Sequence, residues 1–184
     1  SLWLASSGDL AQLIGEFDGN MEFAVKMDLS GYIIAFDLDG TLVDSAPDII
    51  GALNKVLHEQ GVRPYHLDEA RPLIGRGAME LLRRAFALAG APLAPEREKP
   101  LLDLMLKHYE RHIADLTRAY PGMEAALDTL AAAGARFCVC TNKHNYLAVE
   151  LLSRMGLSGR FGAVKGADVL PNKKPSPDHL IAAV

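Results

Sequence analysis

Asp37-Leu-Asp-Gly-Thr-Leu-Val-Asp-Ser45 follows directly on the apolar run Tyr32-Ile-Ile-Ala-Phe36. A short apolar run without alternating polar residues is typical of a strand that is buried on both faces of a parallel sheet. Ligands of such sheets bind beyond the carboxyl ends of the strands. The sequence therefore predicts that Asp37 and Asp39 lie at a binding edge of the sheet.

The two carboxylates of this stretch point to phosphate chemistry with a metal ion. Asp37 and Asp39 are close enough to repel each other, and a divalent cation such as Mg²⁺, which prefers oxygen ligands, would relieve that repulsion. Gly40 allows a sharp turn and a close approach of the backbone to a ligand. One carboxylate can attack phosphorus while the other protonates the leaving oxygen and later activates water. The alternative, in which the pair only caps the next helix, is disfavoured for so complete a motif.

The chain on either side of residues 62–118 alternates between strands and helices, which indicates an α/β fold with a parallel sheet. Ser45 is predicted to cap a helix that runs to Gly61, with Asp48 supporting its first turn. Only three core strands are evident. The further strands are predicted at Arg136–Cys140 and Phe161–Lys165, and the further helices at Met123–Ala133, Asn145–Met155 and Asp178–Val184.

The segment 62–118 has helical periodicity only, which indicates a helical bundle inserted between strands. A short helix at Asp68–Leu73 is interrupted by Pro72. Longer helices are predicted at Ala78–Ala89 and Glu96–Leu116, the latter with Leu116 on its core face. Arg76 stands between two glycines in the break before the second helix.

Three segments together resemble the motifs of the haloacid dehalogenase-like hydrolase superfamily in its phosphatase form. Asp37-Leu-Asp-Gly-Thr-Leu42 is similar to its first motif, Phe137-Cys-Val-Cys-Thr-Asn142 to its second, and Lys174 in a Pro-rich loop to the lysine of its third. The resemblance covers about residues 30–184. It implies a Rossmann-like parallel-sheet core at 27–45 and 119–184, with an all-helical cap domain inserted at 46–118.

The resemblance also implies roles for individual residues. Asp37 would be the nucleophile and a Mg²⁺ ligand, and Asp39 would be the general acid and base and offer its backbone carbonyl to the metal. Thr141 would hold the phosphoryl oxygens and Lys174 would neutralise their charge. Lys173 is expected to be a solvated loop lysine. The predicted substrate-binding residues are Gly40, Thr41, Asn142, Gly75, Arg76 and Gly77.

Within the superfamily, the likeness is strongest to phosphoglycolate phosphatases. It rests on Ile74-Gly-Arg-Gly77, Tyr120-Pro-Gly122 and Thr141-Asn-Lys143. The implied reaction is hydrolysis of 2-phosphoglycolate through an aspartyl-phosphate, with Arg76 pairing with the substrate carboxylate. Two alternatives stay open: a phosphomutase or sugar-phosphate phosphatase of the same fold, and a catalytically inactive binding module.

One family motif has no counterpart in the sequence. The family completes its Mg²⁺ site with an acidic pair after a further core strand, and nothing between Lys174 and Val184 supplies it. The C-terminal part of the core is therefore expected to be missing from this chain. A polypeptide limited to residues 1–184 is expected to bind Mg²⁺ poorly and to be nearly inactive.

Composition narrows the remaining possibilities. The formal net charge is −4, and residues 1–25 hold four acidic residues and no basic one, so residues 26–184 are neutral. The sequence has no basic block and no long apolar run, so neither nucleic acid nor a membrane is an expected partner. The partner that the resemblance implies is a small phosphorylated metabolite. The oligomeric state is left open. Residues 1–26 are an N-terminal extension of unknown role that lacks the features of a targeting peptide. Cys138 and Cys140 are expected to be buried free thiols in a reducing cytoplasm, and the scattered histidines are expected to have surface or packing roles.

Overall fold

A computed structural model describes residues 28–184 and the backbone of Leu2–Ala5. In sheet order, the strands of its main sheet are β1 (Leu2–Ala5), β2 (Ile33–Phe36), β5 (Arg136–Cys140) and β6 (Ala163–Lys165). Every neighbouring pair in this sheet is parallel. The predicted parallel α/β sheet is thereby confirmed.

The first strand comes from the segment that the sequence assigned to an extension. The backbone of Leu2–Ala5 pairs with β2 in the register Leu2↔Ile33 to Ala5↔Phe36. The described sheet therefore has four strands where the sequence indicated three, because an isolated apolar tetrapeptide carries no sign of a partner thirty residues away. The rest of the predicted extension, residues 6–26, lies outside the described residues.

Aromatic side chains from three segments fill one face of the sheet. The rings of Phe36 and Phe137 meet edge-on with their centroids 5.7 Å apart, and Phe161 lies 6.5 Å from each of them. Cys138 and Cys140 are buried on the opposite face as free thiols, as predicted. Burial raises the pKa of Cys138 to about 11, which is expected of an inert core thiol.

Between β2 and β5 the chain forms a group of helices that is entered and left through one two-stranded ribbon. The ribbon pairs β3 (Val43–Asp44) with β4 (Arg118–Ala119) in antiparallel fashion. Within the group, α1 packs against α4, and α4 against α3. The elements are α1 (Ala46–Glu59), α2 (Leu67–Ala70) with a 3₁₀ turn at Arg71–Leu73, α3 (Ala78–Leu88) and α4 (Pro95–Arg111).

Helix α4 ends five residues earlier than the sequence predicts. The Asp48 carboxylate accepts hydrogen bonds from the backbone N–H of Leu116 at 3.0 Å and from the N–H of Thr117 at 2.8 Å. These bonds draw the chain away from the helical path after Arg111. Ile113 stays buried, whereas the predicted core residue Leu116 is 59% exposed. The extent of the helix and the core position of Leu116 were therefore wrong.

The start of α1 also differs in its hydrogen bonding from the prediction. Ser45 does precede the helix, but its side chain makes no cap hydrogen bond, and its hydroxyl donates to Asp39 instead. Asp48 bonds to the returning chain rather than to its own helix. Ser45 thus connects the start of the helical group to the end of β2, whereas Asp48 joins α1 to the segment that leads into β4.

The remaining helices cover the sheet and lie close to their predicted positions. They are α5 (Met123–Ala132), α6 (Asn145–Arg154) and α7 (Pro177–Ile181), with a 3₁₀ turn at Ser158–Arg160. Strand β6 starts two residues later than predicted and α7 ends three residues earlier. In the part of the chain that the structure describes, no helix combines the length and the apolar character needed to cross a bilayer.

Candidate active site

Two carboxylates and two ammonium groups meet where β2 and β5 end. Asp37 and Asp39 follow β2, and the Nζ atom of Lys174 lies 2.9 Å from Oδ1 of Asp37. The Nζ atom of Lys143 lies 2.8 Å and 3.0 Å from the two carboxylate oxygens of Asp39. Thr141, at the end of β5, lines the same pocket as both carboxylates. The structure thus brings together the four residues for which catalytic roles were predicted and adds Lys143, which was not.

Lys143 is an unusually buried lysine. Its side chain is 5% exposed, and its Nζ atom lies 4.6 Å from the centre of the Tyr109 ring. Burial disfavours the ammonium form, but the adjacent Asp39 carboxylate outweighs that effect and raises the pKa of Lys143. The pair is therefore a charge-assisted bridge, and the Ser45 hydroxyl donates to the same carboxylate.

Tyr109 reaches the pocket from α4, on the side opposite the sheet. It is 3% exposed, and its hydroxyl oxygen has no hydrogen-bond partner among the described residues. Burial raises the pKa of Tyr109 to about 12, so the hydroxyl remains a donor at neutral pH. A buried, unpaired donor is costly and points to a partner that the described residues do not supply.

A buried histidine holds the loop that carries Lys174. His179 is fully buried, its Nδ1 atom accepts the backbone N–H of Lys174 at 3.1 Å, and its Nε2 atom lies 2.9 Å from the carbonyl oxygen of Gly166. The Nδ1 contact requires an acceptor, so Nε2 carries the proton. The predicted packing role of the histidines is confirmed at His179, which anchors the loop to the end of β6.

The loop of Gly75, Arg76 and Gly77 touches the sheet edge through its backbone. The carbonyl of Gly75 accepts a hydrogen bond from the Asn142 amide at 3.0 Å, and the carbonyl of Arg76 accepts one from Lys173 at 3.0 Å. Lys173 is exposed in its loop, in line with the prediction, and its ammonium also bonds to the backbone of this second loop. Gly77 has a φ of +92°, a backbone conformation that favours glycine. A Cβ at this position would lie 3.4 Å from the backbone oxygen of Asn142 and 3.4 Å from the Nζ atom of Lys173.

The predicted substrate-binding residues separate into two groups. Asn142, Gly75 and Gly77 line the pocket, whereas the side chain of Arg76 is exposed and forms no part of its wall. Gly40 and Thr41 form the turn after Asp39 and also lie outside the wall. The apolar part of the wall consists of Ile49, Ile74, Leu81, Met105, Leu106 and Leu147.

The donor set fits a magnesium ion in kind. Asp37 can supply a carboxylate oxygen and Asp39 a backbone carbonyl oxygen, and Mg²⁺ in proteins is often held by one or two carboxylates together with waters and substrate phosphate. Among residues 28–184, no group of three or more histidine, cysteine or acidic side chains is gathered as for a metal.

The sequence profile of the haloacid dehalogenase-like hydrolases matches residues 34–184. The chain belongs to this family. It is 48% identical over 157 residues to a protein named phosphoglycolate phosphatase from Caulobacter vibrioides, covering 85% of this chain and 66% of that protein. The chain spans about two thirds of the length of the first three curated relatives, with shares of 66%, 69% and 64%.

Solved structures agree with the family membership. The crystal structure of a predicted phosphoglycolate phosphatase from Haemophilus somnus superimposes with a TM-score of 0.76 at 29% identity, covering 85% of this chain and 71% of that one. CbbY from Rhodobacter sphaeroides, in complex with phosphate, superimposes with a TM-score of 0.66 at 26% identity, covering 82% and 70%. The paired carboxylates Asp37 and Asp39 lie within residues 34–184, the region that matches the haloacid dehalogenase-like hydrolases.

Proposed function

We propose that this chain carries the catalytic residues of a Mg²⁺-dependent phosphatase, in which residues 46–118 form a cap over a core at 27–45 and 119–184. The observation that carries the proposal is that Asp37 and Asp39 line one pocket while the Nζ atom of Lys174 lies 2.9 Å from Asp37. A nucleophile, a proton-transferring group and a fixed cation are the minimum that phosphoryl transfer through a covalent intermediate requires.

The reaction proceeds in two displacements at phosphorus. A carboxylate oxygen of Asp37 attacks phosphorus, the ester P–O bond breaks, and the leaving alcohol oxygen takes a proton from the Asp39 carboxyl group. Asp39 then takes a proton from a water molecule, whose oxygen attacks the phosphorus of the aspartyl-phosphate. The P–O bond to Asp37 breaks, and inorganic phosphate leaves with the carboxylate restored.

The neighbouring groups hold the phosphoryl oxygens in place. Lys174, 2.9 Å from Asp37, carries a fixed positive charge beside the atom that attacks, so charge that develops on the phosphoryl oxygens is balanced without rearrangement. The hydroxyl of Thr141 and the backbone N–H groups that follow it supply hydrogen bonds at the end of β5. Asp37 and Asp39 would hold Mg²⁺, which neutralises phosphate charge when bound.

We propose 2-phosphoglycolate as the substrate and glycolate and phosphate as the products. The support is the name that relatives of 36–48% identity share. The buried free thiols Cys138 and Cys140 support a reducing cytoplasmic environment.

A second candidate is a phosphatase or phosphomutase of sugar phosphates. The observation that favours it is the side-chain oxygen of Asn142, a buried acceptor without a hydrogen-bond partner among the described residues. Such an acceptor would take a substrate hydroxyl, which sugar phosphates have and phosphoglycolate lacks. The third possibility, an inactive binding module, predicts ligand binding without turnover.

The deciding experiment measures phosphate release with Mg²⁺ from a panel of phosphate esters by the full gene product. Wild type is compared with Asp37→Asn, which keeps the shape of the side chain but removes the nucleophile. We expect hydrolysis of 2-phosphoglycolate and a loss of at least about a thousandfold in the variant. Wild-type turnover by the variant would disprove the nucleophile, equal turnover of all esters would disprove the substrate, and no turnover of any ester would favour the binding module.

A further inference from the structure

The Tyr109 hydroxyl is the buried donor of the pocket that the proposed chemistry does not use. It belongs to a side chain that is 3% exposed and lines the pocket, yet it has no hydrogen-bond partner among the described residues. Tyr65, the other well-buried tyrosine of the helical group, donates to the carbonyl of Ala85 at 2.8 Å. Because a buried hydroxyl is normally paired, the partner of Tyr109 is expected to be a bound molecule.

The surroundings of the hydroxyl indicate which chemistry this partner has. Phenolic O–H donates, so the partner must offer an acceptor. The Lys143 ammonium lies over the Tyr109 ring, and its positive charge offsets the negative charge of Asp39. The Asp39 carboxylate therefore does not prevent an anionic group of a bound molecule from approaching Tyr109. An ammonium has three N–H donors, and the two contacts with Asp39 leave capacity for one more acceptor.

The other polar groups of the wall are already engaged or assigned. Thr141 is assigned to the phosphoryl oxygens, the Asn142 amide donates to the Gly75 carbonyl, and Nδ1 of His144 lies 3.6 Å from Asp168. The rest of the wall is apolar, and the Arg76 side chain, which the sequence singled out for a carboxylate, is exposed and outside the wall. An anionic oxygen brought into this pocket would leave water, and the loss of hydration must be replaced by hydrogen bonds. Tyr109 and Lys143 are the groups positioned to supply them.

We propose that Tyr109 is a specificity-determining residue that donates a hydrogen bond to the carboxylate of the substrate, with Lys143 supplying the adjacent positive charge. This inference rests on the proposed phosphatase function and specifies its substrate class: small phosphate monoesters with a carboxylate on the alcohol side. It assigns to Tyr109 and Lys143 the recognition that the sequence assigned to Arg76.

The test compares 2-phosphoglycolate with ethyl phosphate, an ester of the same chain length that lacks the carboxylate. In the full gene product, Tyr109→Phe removes one oxygen atom that has no hydrogen-bond partner among the described residues, so the fold is expected to tolerate it. The kcat/KM ratio of phosphoglycolate to ethyl phosphate should fall about 10- to 100-fold, the range of a lost hydrogen bond to a charged group. Tyr65→Phe, which removes a hydroxyl elsewhere in the helical group, is the matched control and should leave the ratio unchanged.

A binding measurement separates this inference from the proposed function. Calorimetric titration of Asp37→Asn, which cannot turn the ester over, should give tighter binding of 2-phosphoglycolate than the double variant with Tyr109→Phe. Equal losses for both esters together with equal dissociation constants would overturn the role of Tyr109 even if phosphatase activity is strong. A ratio that falls with Arg76→Ala and stays constant with Tyr109→Phe would return the carboxylate to Arg76. If no ester is hydrolysed, the proposed function fails, and the titration alone decides on Tyr109.

Discussion

Replacing Lys143 with methionine isolates the ion pair at the centre of the site. Methionine keeps much of the side-chain volume over the Tyr109 ring but removes the ammonium that bonds to both oxygens of Asp39. The Asp39 side chain is 12% exposed, so water replaces little of what is lost, and among the described residues the Ser45 hydroxyl is the side-chain donor that remains. Removing one partner of a buried pair costs about 3–5 kcal/mol, and the remaining donor places the expected loss near the lower end, about 3 kcal/mol.

The free energy of unfolding is measured by urea denaturation of residues 1–184 at neutral pH. Lys99→Met is the matched control, because Lys99 pairs with Asp103 at 2.7 Å while 81% exposed, and its loss should be below about 0.5 kcal/mol. The double variant with Asp39→Asn should lose at least about 1 kcal/mol less than the sum of the two single losses, since each change removes the same interaction. A Lys143→Met variant within about 1 kcal/mol of wild type, or strictly additive losses, would refute the reasoning.

Two further predictions concern the loops and the ribbon. In Gly166→Ala, the new Cβ would lie 2.3 Å from the backbone N of Asn145, so we expect the free energy of unfolding to fall by about 3 kcal/mol. In the control Gly159→Ala, the new Cβ meets nothing within 4 Å, and the free energy of unfolding should change by less than about 0.5 kcal/mol. Comparable losses in the two variants would contradict the steric argument. The Arg71 guanidinium hydrogen-bonded to Asp44 lowers the pKa of that carboxyl, so their bond stabilises the fold above the ordinary carboxyl pKa and ceases to do so as the pH falls below it. Asp44→Asn should therefore cost up to about 1 kcal/mol near pH 7 and nearly nothing near pH 2, and a cost that persists in acid would contradict the assignment.

The local sequence pattern was sufficient to predict an element where the flanking residues mark its two ends. Strand β5 was predicted residue for residue, because its apolar run is preceded by Gly134 and followed by Thr141 and Asn142. The end of α4 was missed because the cause lies in Asp48, which is 68 residues before the Leu116 N–H that it binds. The spacing of apolar residues along a helix does not reveal that a carboxylate on another helix accepts hydrogen bonds from the backbone and ends the helix.

The residues of the candidate site were likewise predicted where a local motif marks them and missed where none does. Asp37, Asp39, Thr141 and Lys174 were predicted because each follows a strand or belongs to a recognisable motif. Lys143 was missed, although it lies two residues beyond Thr141 at the same strand end, and that position was the available signal.

Nothing comparable pointed to Tyr109 as a ligand. Its spacing within α4 is that of an ordinary core residue. Whether a core tyrosine finds a partner for its hydroxyl depends on packing across the pocket, which one sequence does not encode locally.

The ribbon of β3 and β4 has a consequence for how such a chain can diversify. The register sets Asp44 against Arg118, so the two ends of everything between them stand side by side, about 5 Å apart as in any antiparallel pair. The two chain crossings between the sheet and the helical group therefore lie side by side in this ribbon, whatever the intervening segment contains. Segments of different length or sequence can be exchanged at this junction without moving β2 or β5, so that substrate preference can evolve separately from the chemistry at the strand ends.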